Sequence, residues 1–331
     1  MYKKAYGVIE TLAPLHVGAT AGEESGNLNL IFREQFTLTG IVPGSSIRGR
    51  FRSEMRLARQ QWLETQVKNK GEKIPSTFSV RNAQGQEVTQ TKLEWLERKA
   101  KELKIDVPLE KDENIWYGHE AVEGEPDSTT ESLVKFEYAS ILWIPVFCPG
   151  QPIVWVSCPK LLKRYKRIAG NKITTDPPLP YTSSKTLTAL TVDGFQKLFF
   201  NFGFLTIENP QQDLSVWFPL GEQLPAVVVA DDEIAMIHDM ALYRQSRVAL
   251  DKNEKRVKGK AFFNTEALPE GTILVFPIGI RDISNGNGTA KEWKPFGETK
   301  NPEIYLGGLE SIGFGHCEIT LKEFNNGLGT V

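Results

Sequence analysis

Apolar and polar positions along this 331-residue chain change period several times, and each change predicts an element. Ala5 to Leu12 alternates weakly and stops at Pro14, which predicts a first strand. The small, polar run from Thr20 to Leu28 predicts a loop, and Leu28 to Phe36 is extended again. At Ile41-Val42-Pro43-Gly44-Ser45-Ser46-Ile47 a strand end, a Pro-Gly turn and a helix start follow, with a serine hydroxyl as the expected cap. In that helix Ile47, Phe51, Met55, Ala58 and Trp62 form an apolar stripe. Arg48, Arg52, Arg56 and Arg59, spaced 4, 4 and 3 apart, line the other side.

From Glu64 to Asn114 the chain is mostly polar, with Lys/Glu runs, and reads as an insertion within one domain of residues 1–331. Its one helical island, Thr91 to Leu103, places Leu93, Leu96, Ala100 and Leu103 at helical spacing. Order returns at Ile115-Trp116-Tyr117-Gly118. Val134 to Phe147 and Ile153 to Ser157 are strand-like, and Cys148-Pro149-Gly150-Gln151-Pro152 makes the turn between them. Pro159 then opens a helix in which Lys160, Lys163, Arg164, Lys166 and Arg167 interleave with Leu161, Leu162 and Tyr165. Strand, helix, strand, strand, helix and late strands predict an α+β fold, with a ferredoxin-like, RNA-recognition-motif-like core carrying insertions.

Composition narrows the picture. An apolar fraction of 40% and an aromatic fraction of 10% supply a real core and exclude a disordered chain. A net charge of −2 removes any global electrostatic argument for nucleic acid, so a basic surface has to be local. Cys148, Cys158 and Cys317 show neither CxxC pairing nor ligand spacing and read as reduced core thiols. With no apolar N-terminal segment, the expected location is the cytoplasm. His119, His238 and His316 have no companions at ligand spacing, so no metal site is assigned, and Asp231-Asp232-Glu233 reads as an acidic helix start.

A helix start leaves backbone N–H groups free and carries partial positive charge, so the Gly44-Ser45-Ser46 turn is a candidate anion site, with Arg48, Arg50, Arg52 and Arg56 beside it. The same arginine spacing also fits a solvated basic face. The turn at Gly307, Gly308, Gly313 and Gly315 lets backbone approach a phosphate closely, although a plain turn before a last strand fits it too.

Four ordered segments resemble the RAMP superfamily of CRISPR–Cas proteins, in particular the backbone subunit of type III effector complexes and, within these, the type III-B form. They are Pro14-Leu15-His16-Val17-Gly18, Pro43-Gly44-Ser45-Ser46-Ile47-Arg48-Gly49, Tyr138 to Val146 with Val156 to Leu162, and Leu306 to Gly315. A fifth piece, Arg247 to Thr272, resembles the family's thumb, which sets a thumb-like hairpin over residues 242–268. The resemblance implies an antiviral-defence ribonucleoprotein whose subunits stack along a CRISPR guide RNA, position single-stranded target RNA and contact neighbouring RAMP subunits. It implies RNA contacts at His16, Lys163, Arg164, Arg247, Lys255, Arg256 and Lys258, held mostly through phosphates and largely independent of sequence.

In the family, cleavage of target RNA depends on an aspartate after the His-Val-Gly segment. An ungapped count back from Pro43 puts that position on Asn29, which cannot take a proton or supply a full negative charge. Target-RNA cleavage at this subunit is therefore expected to be weak or silent. A shifted register brings Glu23 or Glu24 there instead, and Glu266 is a further candidate through the thumb-end resemblance. No tightly bound cofactor is expected, and a divalent metal, Mg or Mn, enters only if cleavage occurs. The alternative is a stand-alone, metal-independent endoribonuclease that processes CRISPR transcripts.

Overall fold

The computed structural model describes residues 2–18, 28–81, 86–119, 129–250, 257–281 and 293–323. In chain order the elements are β1 (Tyr2–Thr11), β2 (Leu28–Asn29), β3 (Ile41–Val42), α1 (Gly44–Asn69), β4 (Ser79–Arg81), β5 (Glu87–Thr89), α2 (Lys92–Glu102) and α3 (Glu113–Tyr117). They continue as β6 (Val134–Phe136), β7 (Ala139–Cys148), β8 (Gln151–Ser157), α4 (Pro159–Ala169), β9 (Thr182–Ser184), β10 (Leu190–Val192), β11 (Phe195–Phe200), β12 (Gly203–Thr206) and β13 (Asn209–Gln212). The last are β14 (Ala226–Val228), α5 (Ile234–Ala241), β15 (Tyr243–Leu250), β16 (Val257–Ala267), β17 (Ile273–Arg281), β18 (Glu303–Tyr305) and β19 (His316–Glu323). Two compact units result: Met1–Lys3, Arg48–Lys135 and Ile280–Thr299 form one, and Lys4–Ile47, Phe136–Gly279 and Lys300–Val331 the other.

The second unit is organised by a mixed sheet with strand path β13-β9-β14-β8-β7-β17-β1-β19-β18, and β3 pairs with β7 off this path. β7 and β8 are antiparallel, whereas β14 joins β8 in parallel. Every residue of β7 from Ala139 to Val146 is buried, which is why its sequence is a continuous apolar run rather than an alternation. Helix α4 packs Leu162, Tyr165 and Ile168 into a cluster with Tyr6, Val8, Trp143 and Val228. Trp143 stacks on Phe218 with centroids 4.6 Å apart, and its Nε1 donates to the Trp217 carbonyl at 2.9 Å. The three cysteines are buried, and burial pushes the Cys158 and Cys317 thiols up to about 12, so they pack as apolar groups.

The acidic triplet at 231–233 directly precedes α5, with Glu233 at its N-cap position, and its first residue also serves a second helix. The Asp231 carboxylate accepts from the Lys160 N–H at 2.8 Å, so it serves the N-terminus of α4, behind Pro159 at the first helical position. Glu233 accepts from the Ala230 N–H at 3.1 Å.

In the first unit, α1 and the expected helical island, which forms α2 with Leu96 and Ala100 buried, build a core. Leu63 and Val67 meet Trp95, Leu96 and Ala100, and Ile74 and Phe78 pack against them. Helix α2 opens with a capping box in which Thr91 Oγ1 accepts from the Glu94 N–H at 3.2 Å and Glu94 accepts from the Thr91 N–H at 2.6 Å. The buried stripe of α1 is Ile47, Phe51, Met55, Leu63 and Val67, with Arg59 on it, while Ala58 is exposed. Arg59 is tolerated there because it pairs with Glu113 at 3.0 Å and with Glu97. Among the described residues no helix is long and apolar enough to cross a membrane.

Arg59→Met should therefore cost about 3–5 kcal/mol in urea denaturation, because it strands the buried Glu113 carboxylate. Arg56→Ala, on a side chain 52% exposed, should stay within about 0.5 kcal/mol. Equal effects of the two substitutions would show that the Arg59 cluster is not what secures this unit.

Candidate functional site

Segments far apart in sequence meet in the second unit around Pro14–Gly18. Leu15 exchanges two backbone hydrogen bonds with Leu268, both 2.9 Å, and the Val17 carbonyl accepts from the Phe32 N–H at 2.9 Å. On the other edge the Pro14 carbonyl accepts from Gly315 and the His16 carbonyl from Gly308, each at 2.9 Å. Gly307 has φ +79, and a Cβ there would come within 2.2 Å of the His16 carbonyl oxygen, so only glycine lets the loop lie against the segment.

This corrects the reading of the glycine turn as a phosphate cradle. The amides of Gly308 and Gly315 bond to His16 and Pro14, and that of Gly313 bonds to Glu310 at 3.0 Å. Their N–H groups are engaged inside the protein, and the loop grips the His16 segment. His16 itself is 7% exposed, with Nδ1 2.6 Å from the Glu266 carbonyl oxygen. A carbonyl only accepts, so Nδ1 carries the hydrogen and the ring is oriented by the backbone of β16.

Glu266 is not a free base either. It is 3% exposed, and one carboxylate oxygen takes Arg33 at 3.2 Å while the other takes the Arg244 fork at 3.1 and 3.2 Å. Arg33 also reaches Asp239 at 2.5 Å. The Asp239 carboxyl is held at about 2, chiefly by the adjacent His238 ring, against the opposing effect of burial, and further by Arg33. His238 is fully buried; its Nε2 accepts from the Gly40 N–H at 2.9 Å, and burial pushes its pKa below the ordinary histidine value. These groups lie at the root of the β15–β16 hairpin, which pairs antiparallel from Tyr243↔Ala267 to Leu250↔Val257.

Asn29 lies in β2, exposed, and pairs in parallel with Thr265 of β16. Glu23 and Glu24 lie outside the described residues. Among the described residues no group of three or more His, Cys, Asp or Glu could hold a metal ion. With Glu266 paired to two arginines, the residues described at this position do not fit a divalent cation.

At the start of α1 the Pro43 carbonyl accepts from Ser46 at 3.0 Å and Ile47 at 3.2 Å, so Pro43 is the capping residue, and Ser45 and Ser46 lie within the first turn. No bond to the amides of Gly44 or Ser45 is found among the described residues, which leaves two N–H groups for an anion. The arginines that follow are directed elsewhere. Arg48 donates to the Tyr117 carbonyl, Arg50 pairs with Glu54 at 2.5 Å, Arg52 bonds Asn114 at 3.2 Å, and Arg56 faces Glu113 at 3.7 Å. The expected cationic rail is largely an internal network with α3 and its own helix.

On α4, Lys163 and Arg167 are exposed, while Arg164 lies flat on Tyr138 at 4.1 Å and donates to Ser140 Oγ at 2.9 Å. Arg247 stacks over Phe314 at 4.9 Å, tying β15 to the glycine loop. Lys255 and Arg256 lie outside the described residues, and Lys258 is placed only by its backbone in β16.

Arg33, Arg244 and Asp239 were missing from the sequence reading. The signal available was Arg33 itself, a lone charge directly after the apolar pair Ile31-Phe32, since a charge in such a run has to find a partner.

The sequence pattern of the RAMP superfamily matches residues 8–318. None of the curated proteins compared matches the chain. Among solved structures, oligomeric Cmr4 from Pyrococcus furiosus is 17% identical, with 98% of this chain and 100% of that chain covered and a TM-score of 0.56. A chain of a type III-B Cmr-beta complex in its apo state is 16% identical, with 96% and 97% covered and a TM-score of 0.55. One from the Cmr-beta complex bound to cognate target RNA is also 16% identical, with 96% of each chain covered and a TM-score of 0.56. At these identities the likeness is one of fold, and the family match over residues 8–318 is what classifies the sequence: the chain belongs to the RAMP superfamily.

Proposed function

We propose that this chain is a guide-RNA-binding backbone subunit of a type III CRISPR effector complex of the type III-B form. It holds CRISPR RNA through the phosphate backbone, lays single-stranded target RNA along it and joins neighbouring RAMP subunits. The ferredoxin-like plan of its core belongs to the same reading. The observation that carries it is the meeting of the His16 segment, the glycine loop and the paired β15–β16 root in one unit of a RAMP protein. The Gly44–Ser45 amides, Lys163 and Arg167 supply local positive character in a chain of net charge −2. In this reading Asn29 stands where the family's aspartate acts, and the subunit binds target RNA without cutting it.

Purification from cells carrying a CRISPR array should yield the chain with guide-length RNA and partner subunits. Cleavage of repeat RNA by the lone chain would instead establish a stand-alone processing endoribonuclease. Gly307→Ala should push the loop off the His16 carbonyl and weaken guide binding about tenfold, the loss of one or two contacts of roughly 1 kcal/mol each, with far-UV circular dichroism retained. Unchanged affinity would separate the loop from RNA binding.

In an assembled complex supplied with Mg²⁺ or Mn²⁺, target RNA opposite this subunit should stay intact, and Asn29→Asp should introduce cleavage there. Robust cleavage by the unmodified complex, lost in Glu23→Gln or Glu24→Gln, would place the acting carboxylate in the other register.

A further inference from the structure

The second unit carries a groove of about 580 Å³ beside α4. One wall is the outer face of α4, and the other is the turn from Glu34 to Leu38 together with Tyr138 and Ser140. We infer that this groove binds a nucleotide of single-stranded RNA, its base stacked on Phe36 and its phosphate held by Lys163 and Arg167. The inference rests on the RNA-binding reading above and adds a base-stacking site to it.

Phe36 is 79% exposed, the most exposed large apolar side chain among the described residues. Its turn is built rigidly. Glu34 Oε2 accepts from the Phe36 N–H at 2.9 Å, the Thr37 N–H at 2.6 Å and the Thr37 hydroxyl at 2.8 Å. Glu34 and Leu38 close the turn through the backbone at 2.9 Å, with Leu38 at φ +55, a conformation a leucine adopts only under constraint. An aromatic ring displayed on a rigid, constrained turn is a preorganised platform, because ordering it has already been done by folding.

The charge around the ring has one dominant sign. The Lys160 ammonium lies 5.6 Å from the Phe36 centroid, and the Arg164 guanidinium is pinned on Tyr138. Lys163 and Arg167 are exposed and have no ion pair among the described residues. Lys166 is balanced by Asp176, and Glu34 is occupied by its own turn. Cations beside an exposed aromatic face match a ligand with flat π surfaces and a negative backbone, and single-stranded nucleic acid has both.

The groove wall is also bonded to the strand that leads into α1. Ile41 pairs with Ser140 and Val42 with Ala139, so the wall residue Ser140 is one strand away from the turn that offers the Gly44 and Ser45 amides.

The test uses the full chain and fluorescein-labelled oligouridine, followed by anisotropy across a salt series. Phe36→Ala should weaken binding about tenfold and Phe36→Trp should restore it, as expected for one stacked base. Lys163→Ala with Arg167→Ala should reduce the log–log salt slope by about 1 to 1.5. An oligonucleotide with 5-iodouridine should photocrosslink at Phe36. If the unmodified chain binds no RNA, the proposed function fails together with this inference. If it binds RNA with equal affinity in Phe36→Ala and gives no crosslink there, only the groove assignment falls. Loss of complex assembly in Phe36→Ala with RNA affinity intact would also overturn it and make the groove a protein-docking surface.

Discussion

The short segment from Pro14 to Val17 is bonded along both edges, and the arrangement of the candidate site follows from that constraint. One edge takes Leu268 and Phe32; the other takes Gly308 and Gly315. Leu15 is completely buried, so any of these backbone groups left without a partner would be costly, about 1–3 kcal/mol each. The glycines are thus explained by what they touch. A side chain at Gly307 would collide with the very carbonyl the loop has to satisfy. The same grip sets where β2 lies against β16 and where the β15–β16 hairpin leaves the sheet.

Cations in this protein fall into two populations, and the division changes where RNA contacts are sought. Arg33, Arg59 and Arg244 answer carboxylates that are themselves buried, and removing one member would leave charge stranded in a low-dielectric setting. Arg48 and Arg52 serve backbone and amide acceptors around α3. Lys163 and Arg167 are exposed and have no ion pair among the described residues, on a helix whose opposite face is locked into the core by Leu162, Tyr165 and Ile168. A near-neutral chain can still carry a local basic stripe when other arginines are balanced in place.

Much of this was legible in the sequence where one element explains itself. The apolar run of β7, the Pro-Gly turn before α1 and the amphipathic pattern of α4 each depend on residues within about a dozen positions. What escaped depends on partners distant in sequence. Helical spacing placed Arg59 beside Arg48, Arg52 and Arg56, because periodicity does not show which arginine will face Glu97 and Glu113, 38 and 54 positions away. Asp231 looked like a cap for the helix that follows it and caps one 71 positions earlier. In the polar run after Glu64 the helical spacing of Leu96 and Ala100 was legible, but not that Phe78 and Trp95 join them against Leu63 and Val67 of α1.

The hairpin root also sets an exposed amide beside a buried, paired carboxylate. β2 presents an amide, Asn29, beside Thr265, and the next residue of β16 is a carboxylate turned inward onto two arginines. Those ion pairs make Glu266 a fastener between the Ile31–Gly40 hairpin and β15, since Arg33 belongs to the first and Arg244 to the second. With both oxygens taken by arginine N–H groups, this carboxylate has no oxygen directed at a substrate proton. The ion pairs on Glu266 do not involve the residue at position 29, so the fastening does not depend on whether an amide or a carboxylate stands there.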